Sequence, residues 1–187
     1  MADRRRAVFL DRDGTLIEDP GFLHEADRVA LLPGAADAVA RLTQAGFAVV
    51  TVSNQSGIAR GLFGVRDYRA VEARVAELLA RHGAKLDGSY FCPHHPSYTG
   101  PCDCRKPGTK LFEQAASDLG LDLERSWWIG DRVRDIVPGR RLRGQSVLVE
   151  TGFGGAERAD ALALGFPVAA SLAGAVNEHV LRYLPDP

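Results

Sequence analysis

Asp11 and Asp13 stand at the end of an apolar run, Ala7-Val8-Phe9-Leu10, and are followed at once by Gly14 and Thr15. Side chains alternate along a strand, so residues 11 and 13 fall on the same side where the chain passes into the turn. Two carboxylates about 4 Å apart repel by roughly 4 kcal/mol at an effective dielectric near 20. A shared proton relieves that repulsion, and so does a divalent cation such as Mg2+, which in addition makes the pair reactive. A carboxylate beside Mg2+ can attack phosphorus, while a second carboxyl protonates the leaving alkoxide and then deprotonates the hydrolytic water. This spacing assigns Asp11 as nucleophile and Asp13 as acid/base, both on the cation. A strand-ending turn without function is the competing reading, because Asp and Gly favour turns anyway.

Three further polar segments follow apolar runs or open helices. Ser53-Asn54-Gln55-Ser56-Gly57 succeeds the apolar stretch 47–52, and hydroxyls with backbone N–H groups in such a loop can cradle a phosphate. Ser53 is the candidate phosphate-binding hydroxyl, with Asn54, Gln55 and Ser56 meeting the substrate. Arg105 and Lys106 precede a helical stripe, where two cations oppose the positive end of the helix dipole unless an anion sits there. Lys106 would neutralise charge developing on the phosphoryl group and Asp11, and Arg105 would clamp phosphate oxygens. The run Trp128-Ile129-Gly130-Asp131 again ends in an acid, with Asp135 four residues later. Asp131 completes the oxygen shell of Mg2+, and Asp135 orients metal-bound water or Lys106 from behind.

Cys92, His94, Cys102 and Cys104 supply three thiolates and an imidazole, enough for a closed, structural tetrahedral Zn2+ site. A loop this polar cannot pack by itself, and a bound zinc contributes on the order of 10 kcal/mol to ordering it. Because Cys104 abuts Arg105, the ion would fix the backbone that carries the phosphate clamp. His95 is spare: it replaces His94 as ligand, contacts substrate or is simply exposed.

The elements that must position these groups read as an alternation. Strand-like runs lie near 7–10, 47–52, 88–91, 126–129 and 146–150, and helical stripes near 35–42, 68–79 and 111–119. Such β/α alternation predicts a Rossmann-like three-layer α/β/α sandwich with a mostly parallel sheet. Its active site lies outside the carboxyl ends of the strands. The intervals after residues 14 and 57 are too short for a cap domain, so the walls of the site fall to the 16–31 loop and the zinc-binding loop. With 187 residues and 45% hydrophobic content, one domain over 1–187 is expected. A net charge of -1, from 23 basic and 24 acidic residues, argues against a nucleic-acid surface. The basic stretch 1–6 is followed by an apolar run too short for a signal core or a membrane span. A cytoplasmic monomer acting on a small molecule, with no nucleic-acid or membrane partner, is the expectation.

Together, Asp-Arg-Asp-Gly-Thr at 11–15, Ser-Asn-Gln at 53–55, Arg-Lys-Pro at 105–107 and Gly-Asp-x-x-x-Asp at 130–135 resemble the four motifs of the haloacid dehalogenase superfamily. The resemblance spans nearly the whole chain. Its specific part is the string at 53–61 and the Cys-Pro-His-His-Pro and Cys-Asp-Cys-Arg-Lys-Pro strings, which are similar to those of the branch holding heptose bisphosphate phosphatases and histidinol phosphatases. The resemblance implies a Mg2+-dependent phosphatase acting through an aspartyl phosphate. The implied reaction removes the C7 phosphate of D-glycero-D-manno-heptose 1,7-bisphosphate during lipopolysaccharide core synthesis. It further implies substrate contacts at Arg12, at Asp19, Pro20, Gly21 and Phe22, and at Arg132. Histidinol phosphate or another small phosphomonoester is the alternative substrate, and a zinc-stabilised binding module the alternative without catalysis.

Overall fold

The computed structural model describes residues 4–182; the start of the basic stretch at 1–6 lies outside the described residues. In chain order the elements are β1 (Arg5–Leu10), a 3-10 turn (Ala26–Arg28), α1 (Ala35–Gln44), β2 (Ala48–Asn54), α2 (Ser56–Ala59), α3 (Val65–Ala80), β3 (Gly88–Cys92) and α4 (Pro96–Thr99). They continue with α5 (Lys110–Leu119), β4 (Leu121–Gly130), α6 (Val133–Arg141), β5 (Gln145–Val149), α7 (Gly154–Ala163), β6 (Val168–Ala169), α8 (Leu172–Ala175) and a π-helical turn (Val176–Val180). The strands form one sheet in the order β3-β2-β1-β4-β5-β6, and every pairing in it is parallel.

A central parallel strand is covered on both faces, so it reads as a continuous apolar run. In β1, Val8 and Leu10 enter the core shared with α1, α3 and α8. Ala7 and Phe9 enter the opposite core against α5. There the Phe9 ring stacks on Trp128 at 4.9 Å and meets Phe112 edge-on at 5.3 Å. Full burial of each such ring contributes roughly 1.5–3 kcal/mol. A smaller cluster of Ile136, Leu148, Ala161 and Phe166 seats α6 and α7 on the outer strands. These are the three layers expected.

Leu10 of β1 pairs with Thr51 of β2 and Ile129 of β4. This register brings Asp11, Ser53 and Asp131 out at one edge of the sheet. Between β1 and α1 the chain makes a loop with one 3-10 turn, and between β2 and β3 it makes α2 and α3. Neither connection builds a sheet or bundle of its own, as expected without a cap. Beyond residue 150 hydrophobic periodicity assigns nothing, yet α7, β6 and α8 continue the alternation. In α7 only Gly154 and Ala161 are buried, so the helix has almost no apolar stripe to read. No helix among the described residues is long and apolar enough to cross a membrane.

Candidate active site

Lys106 lies at the centre of the charged cluster. Its Nζ donates to Asp11 Oδ1 at 2.6 Å, to the Val52 carbonyl at 2.6 Å and to Asp135 Oδ1 at 2.8 Å. Three acceptors match the three N–H groups of an ammonium, which lets the side chain be 2% exposed. Asp135 also accepts from the Arg132 N–H at 3.1 Å, capping the start of α6. Asp131 accepts from the Phe153 N–H at 2.8 Å through Oδ2, whereas its buried Oδ1 has no hydrogen-bond partner.

Asp11, Asp131 and Asp135 each offer an oxygen, all within 4.8 Å of one another. Three carboxylates against one ammonium leave two net negative charges in a buried space. Burial pushes Asp11 up to about 8, opposed by Lys106 and reinforced by Asp135, Asp131 and Asp13. Asp131 is raised to about 6, again by burial, against the pull of the Phe153 N–H. The orphaned Asp131 oxygen, the charge imbalance and an all-oxygen donor set fit a divalent cation of the Mg2+ kind. Two glycines give that carboxylate its room. A Cβ at Gly14 would lie 2.5 Å from Asp131 Oδ2, and one at Gly152 would lie 2.3 Å from it, and both have positive φ, +86° and +55°.

The sequence reading puts the Asp13 carboxylate on the cation as well, but the structure turns it elsewhere. It accepts from Arg12 Nη2 at 2.9 Å and Nε at 3.1 Å, and from Gln55 Nε2 at 2.8 Å. Asp135 takes its place in the acidic cluster. Arg12 also requires correction: expected to touch substrate, its side chain is 1% exposed and lies between Asp13 and Glu72. A guanidinium enclosed in this way holds the acid and does not reach a ligand.

Ser53 is buried, and its Oγ accepts from Gln55 Nε2 at 2.9 Å. One amide therefore joins the candidate phosphate hydroxyl to Asp13. Asn54 is bound to protein rather than aimed outward: its Oδ1 accepts from the Lys106 N–H at 3.0 Å and its Nδ2 donates to the Lys106 carbonyl at 3.2 Å. That clamp holds the backbone of Lys106.

Above these groups opens a cavity of about 390 Å3. Asp11, Asp13, Asn54, Gln55, Ser56 and Asp135 line one part of it, and Asp19, Gly21 and Phe22 another. Pro20 is exposed beside them. Arg105 and Arg132 also line the cavity, as do two residues that the sequence reading misses, Arg60 and Arg134. Arg60 lay in plain view inside the string at 53–61, and Arg134 inside the last motif. Arg132 rests over the Phe153 ring, 3.5 Å from its centroid, and pairs with Glu157. No signal pointed to the 151–153 loop, because it carries no charged group: Phe153 donates its N–H to Asp131, and Thr151 Oγ1 donates to the Gly14 carbonyl at 2.7 Å.

Cys92, His94, Cys102 and Cys104 form the second ligand group. The three Sγ atoms are 3.1, 3.6 and 3.6 Å apart, and His94 Nδ1 is 3.3 Å from Cys104 Sγ and 3.9 Å from Cys92 Sγ. Zinc–sulfur bonds of about 2.3 Å in a tetrahedron give edges of roughly 3.8 Å, close to this arrangement. Burial, then the Cys104 thiol, pushes the Cys92 thiol up, so its ionisation calls for a cation. His95 is not in this group; it caps α4, lines the cavity and contacts Arg60. The Arg105 guanidinium donates to the His94 carbonyl at 3.2 Å, joining the cysteine loop to the cavity wall.

A family described as HAD-hydrolase-like matches residues 103–175. The D-glycero-beta-D-manno-heptose-1,7-bisphosphate 7-phosphatase of Yersinia pestis is 41% identical over 152 residues, covering 78% of this chain and 81% of the relative. Its namesake in Escherichia coli K12 is 40% identical over 158 residues, covering 81% and 83%. A D,D-heptose 1,7-bisphosphate phosphatase from B. bronchiseptica, solved with magnesium and phosphate, superposes with a TM-score of 0.83 at 33% identity over 95% of this chain and 99% of the other. With identity and coverage at this level, the chain belongs to the heptose-1,7-bisphosphate 7-phosphatase family of haloacid dehalogenase-like hydrolases.

Proposed function

We propose that the protein hydrolyses the C7 phosphate of D-glycero-beta-D-manno-heptose 1,7-bisphosphate, a step in the supply of nucleotide heptose for lipopolysaccharide. The observation that carries the reading is Lys106 bridging Asp11 and Asp135 beside Asp131, under an arginine-lined cavity. Asp11 attacks phosphorus, and the bond from phosphorus to the C7 oxygen breaks as Asp13 delivers a proton to that oxygen. Asp13 then takes a proton from water, whose oxygen displaces Asp11 and frees inorganic phosphate. Ser53 and Arg105 hold the phosphoryl oxygens through the transition state, and Lys106, its three N–H groups taken by protein, neutralises the charge on Asp11 beside them. Asp11, Asp131 and Asp135 would hold Mg2+, which supplies charge neutralisation next to the nucleophile. The cysteine loop takes Zn2+ as a structural ion, and the chain acts as a one-domain monomer in the cytoplasm.

Phosphate release from the beta bisphosphate with Mg2+ present, measured beside the alpha anomer and histidinol phosphate, tests the reading. The expected order of kcat/KM is beta first, and Asp11→Asn releases no phosphate. Efficient turnover of histidinol phosphate with poor use of the heptose would reassign the substrate. An Asp11→Asn protein as active as the parent would remove the mechanism.

A further inference from the structure

We propose that Glu72, on α3, is a positioning residue for the Asp13 acid/base and works through Arg12; this rests on the phosphatase reading above. The two are joined by one buried guanidinium. Arg12 Nε and Nη2 fork onto Asp13, while Nη1 donates to Glu72 Oε1 at 2.9 Å. The fork contacts both oxygens of Asp13, so the plane of that carboxylate follows the plane of Arg12.

Glu72 in turn decides where the guanidinium sits. The Arg12 side chain is 1% exposed, and a buried cation stripped of an acceptor must shift to find another. Its other contact is the Tyr68 ring, 5.1 Å away, which is itself packed on Phe91 at 4.0 Å. Burial, followed by the Glu72 carboxylate, pushes the Tyr68 hydroxyl up, so Tyr68 offers the guanidinium a neutral ring and no charge. Burial alone would lower the pKa of Arg12, but Asp13 and Glu72 more than offset it. Residue 72 thus fixes Arg12, and Arg12 fixes the group that must reach the leaving oxygen to within hydrogen-bond distance.

Proton delivery matters for an alkoxide and little for a nitrophenolate, which leaves unaided. That difference separates positioning of the acid from general damage. Because kcat/KM covers the steps only as far as departure of the leaving group, in Glu72→Ala the ratio of kcat/KM on heptose bisphosphate to kcat/KM on 4-nitrophenyl phosphate should fall by about tenfold or more. Glu72→Gln keeps an acceptor opposite Nη1 and should recover the ratio to within about threefold of the parent. An equal loss of kcat/KM on both substrates, or none on either, overturns the proposal. If thermal melting shows that Glu72→Ala does not fold, Arg12→Lys, which cannot fork, replaces it; an unchanged ratio there overturns the proposal equally. A parent protein that leaves the heptose intact yet cleaves aryl phosphates would instead refute the substrate reading. Phenyl against 4-nitrophenyl phosphate would then supply the same ratio.

Discussion

Asp11 sits where burial and three neighbouring acids work against a single ammonium, and its proton affinity is raised to about 8 from an ordinary 3.8. The folded chain therefore keeps a proton that the unfolded chain has released, so stability falls as pH rises through that window. Divalent cation and proton compete for the same carboxylate, so Mg2+ affinity should climb over the same range. Asp11→Asn cannot titrate. In the metal-free state its melting temperature should fall less than the parent's between pH about 4 and about 8, the remainder coming from Asp131, and its Mg2+ affinity should be weaker and flatter with pH. Parallel melting curves for parent and variant would refute this. The acids that end apolar runs, Asp11 and Asp131, were legible because nothing in a strand core calls for charge, and Lys106 because a cation at a helix entrance opposes the dipole. Glu72 escaped the sequence reading, although it stands four residues after Tyr68 and three before Val75 beside the buried stripe of α3. The turn of Asp13 away from the cluster was not legible either, since it is set by Gln55 just beyond β2 and by Arg12, which Glu72 of α3 holds in turn.

At the scale of elements, the strands and long helices were legible from periodicity, and the parallel register then placed four polar segments at one edge. The 151–153 loop was not, because it contributes an N–H, a glycine, a hydroxyl and a ring, and no charged group marks it in the sequence. The cysteine loop shows how one element serves another. Arg105 depends on it through the His94 carbonyl, whereas Lys106 is held independently by the Asn54 amide. Loss of the metal should therefore loosen substrate binding more than chemistry. Cys102→Ser should lose its zinc, measured by metal analysis, and raise KM by about tenfold with a smaller fall in kcat. An equal zinc content, or a collapse of kcat with KM preserved, would show that the loop does not act through Arg105.

The whole molecule is almost neutral, 23 basic residues against 24 acidic ones, yet four arginines face the cavity, Arg60, Arg105, Arg132 and Arg134. Global charge cannot draw in a bisphosphate, so attraction must come from this local concentration at an open mouth. Without a cap, those side chains meet solvent and its salt. The Debye length shrinks from about 30 Å at 0.01 M salt to about 8 Å at 0.15 M, which removes the long-range part of that attraction. The acids and Lys106 beneath are buried and screened far less. It follows that kcat/KM for the bisphosphate should drop by roughly tenfold over that salt range while kcat changes by less than about twofold. A monophosphate of the same sugar should show a shallower slope, because it carries less charge into the same field. Steady-state kinetics across ionic strength distinguish the cases: matched slopes for the two esters would mean that the arginines read the cleaved phosphate alone, and a salt-sensitive kcat would mean that the field reaches the chemistry itself.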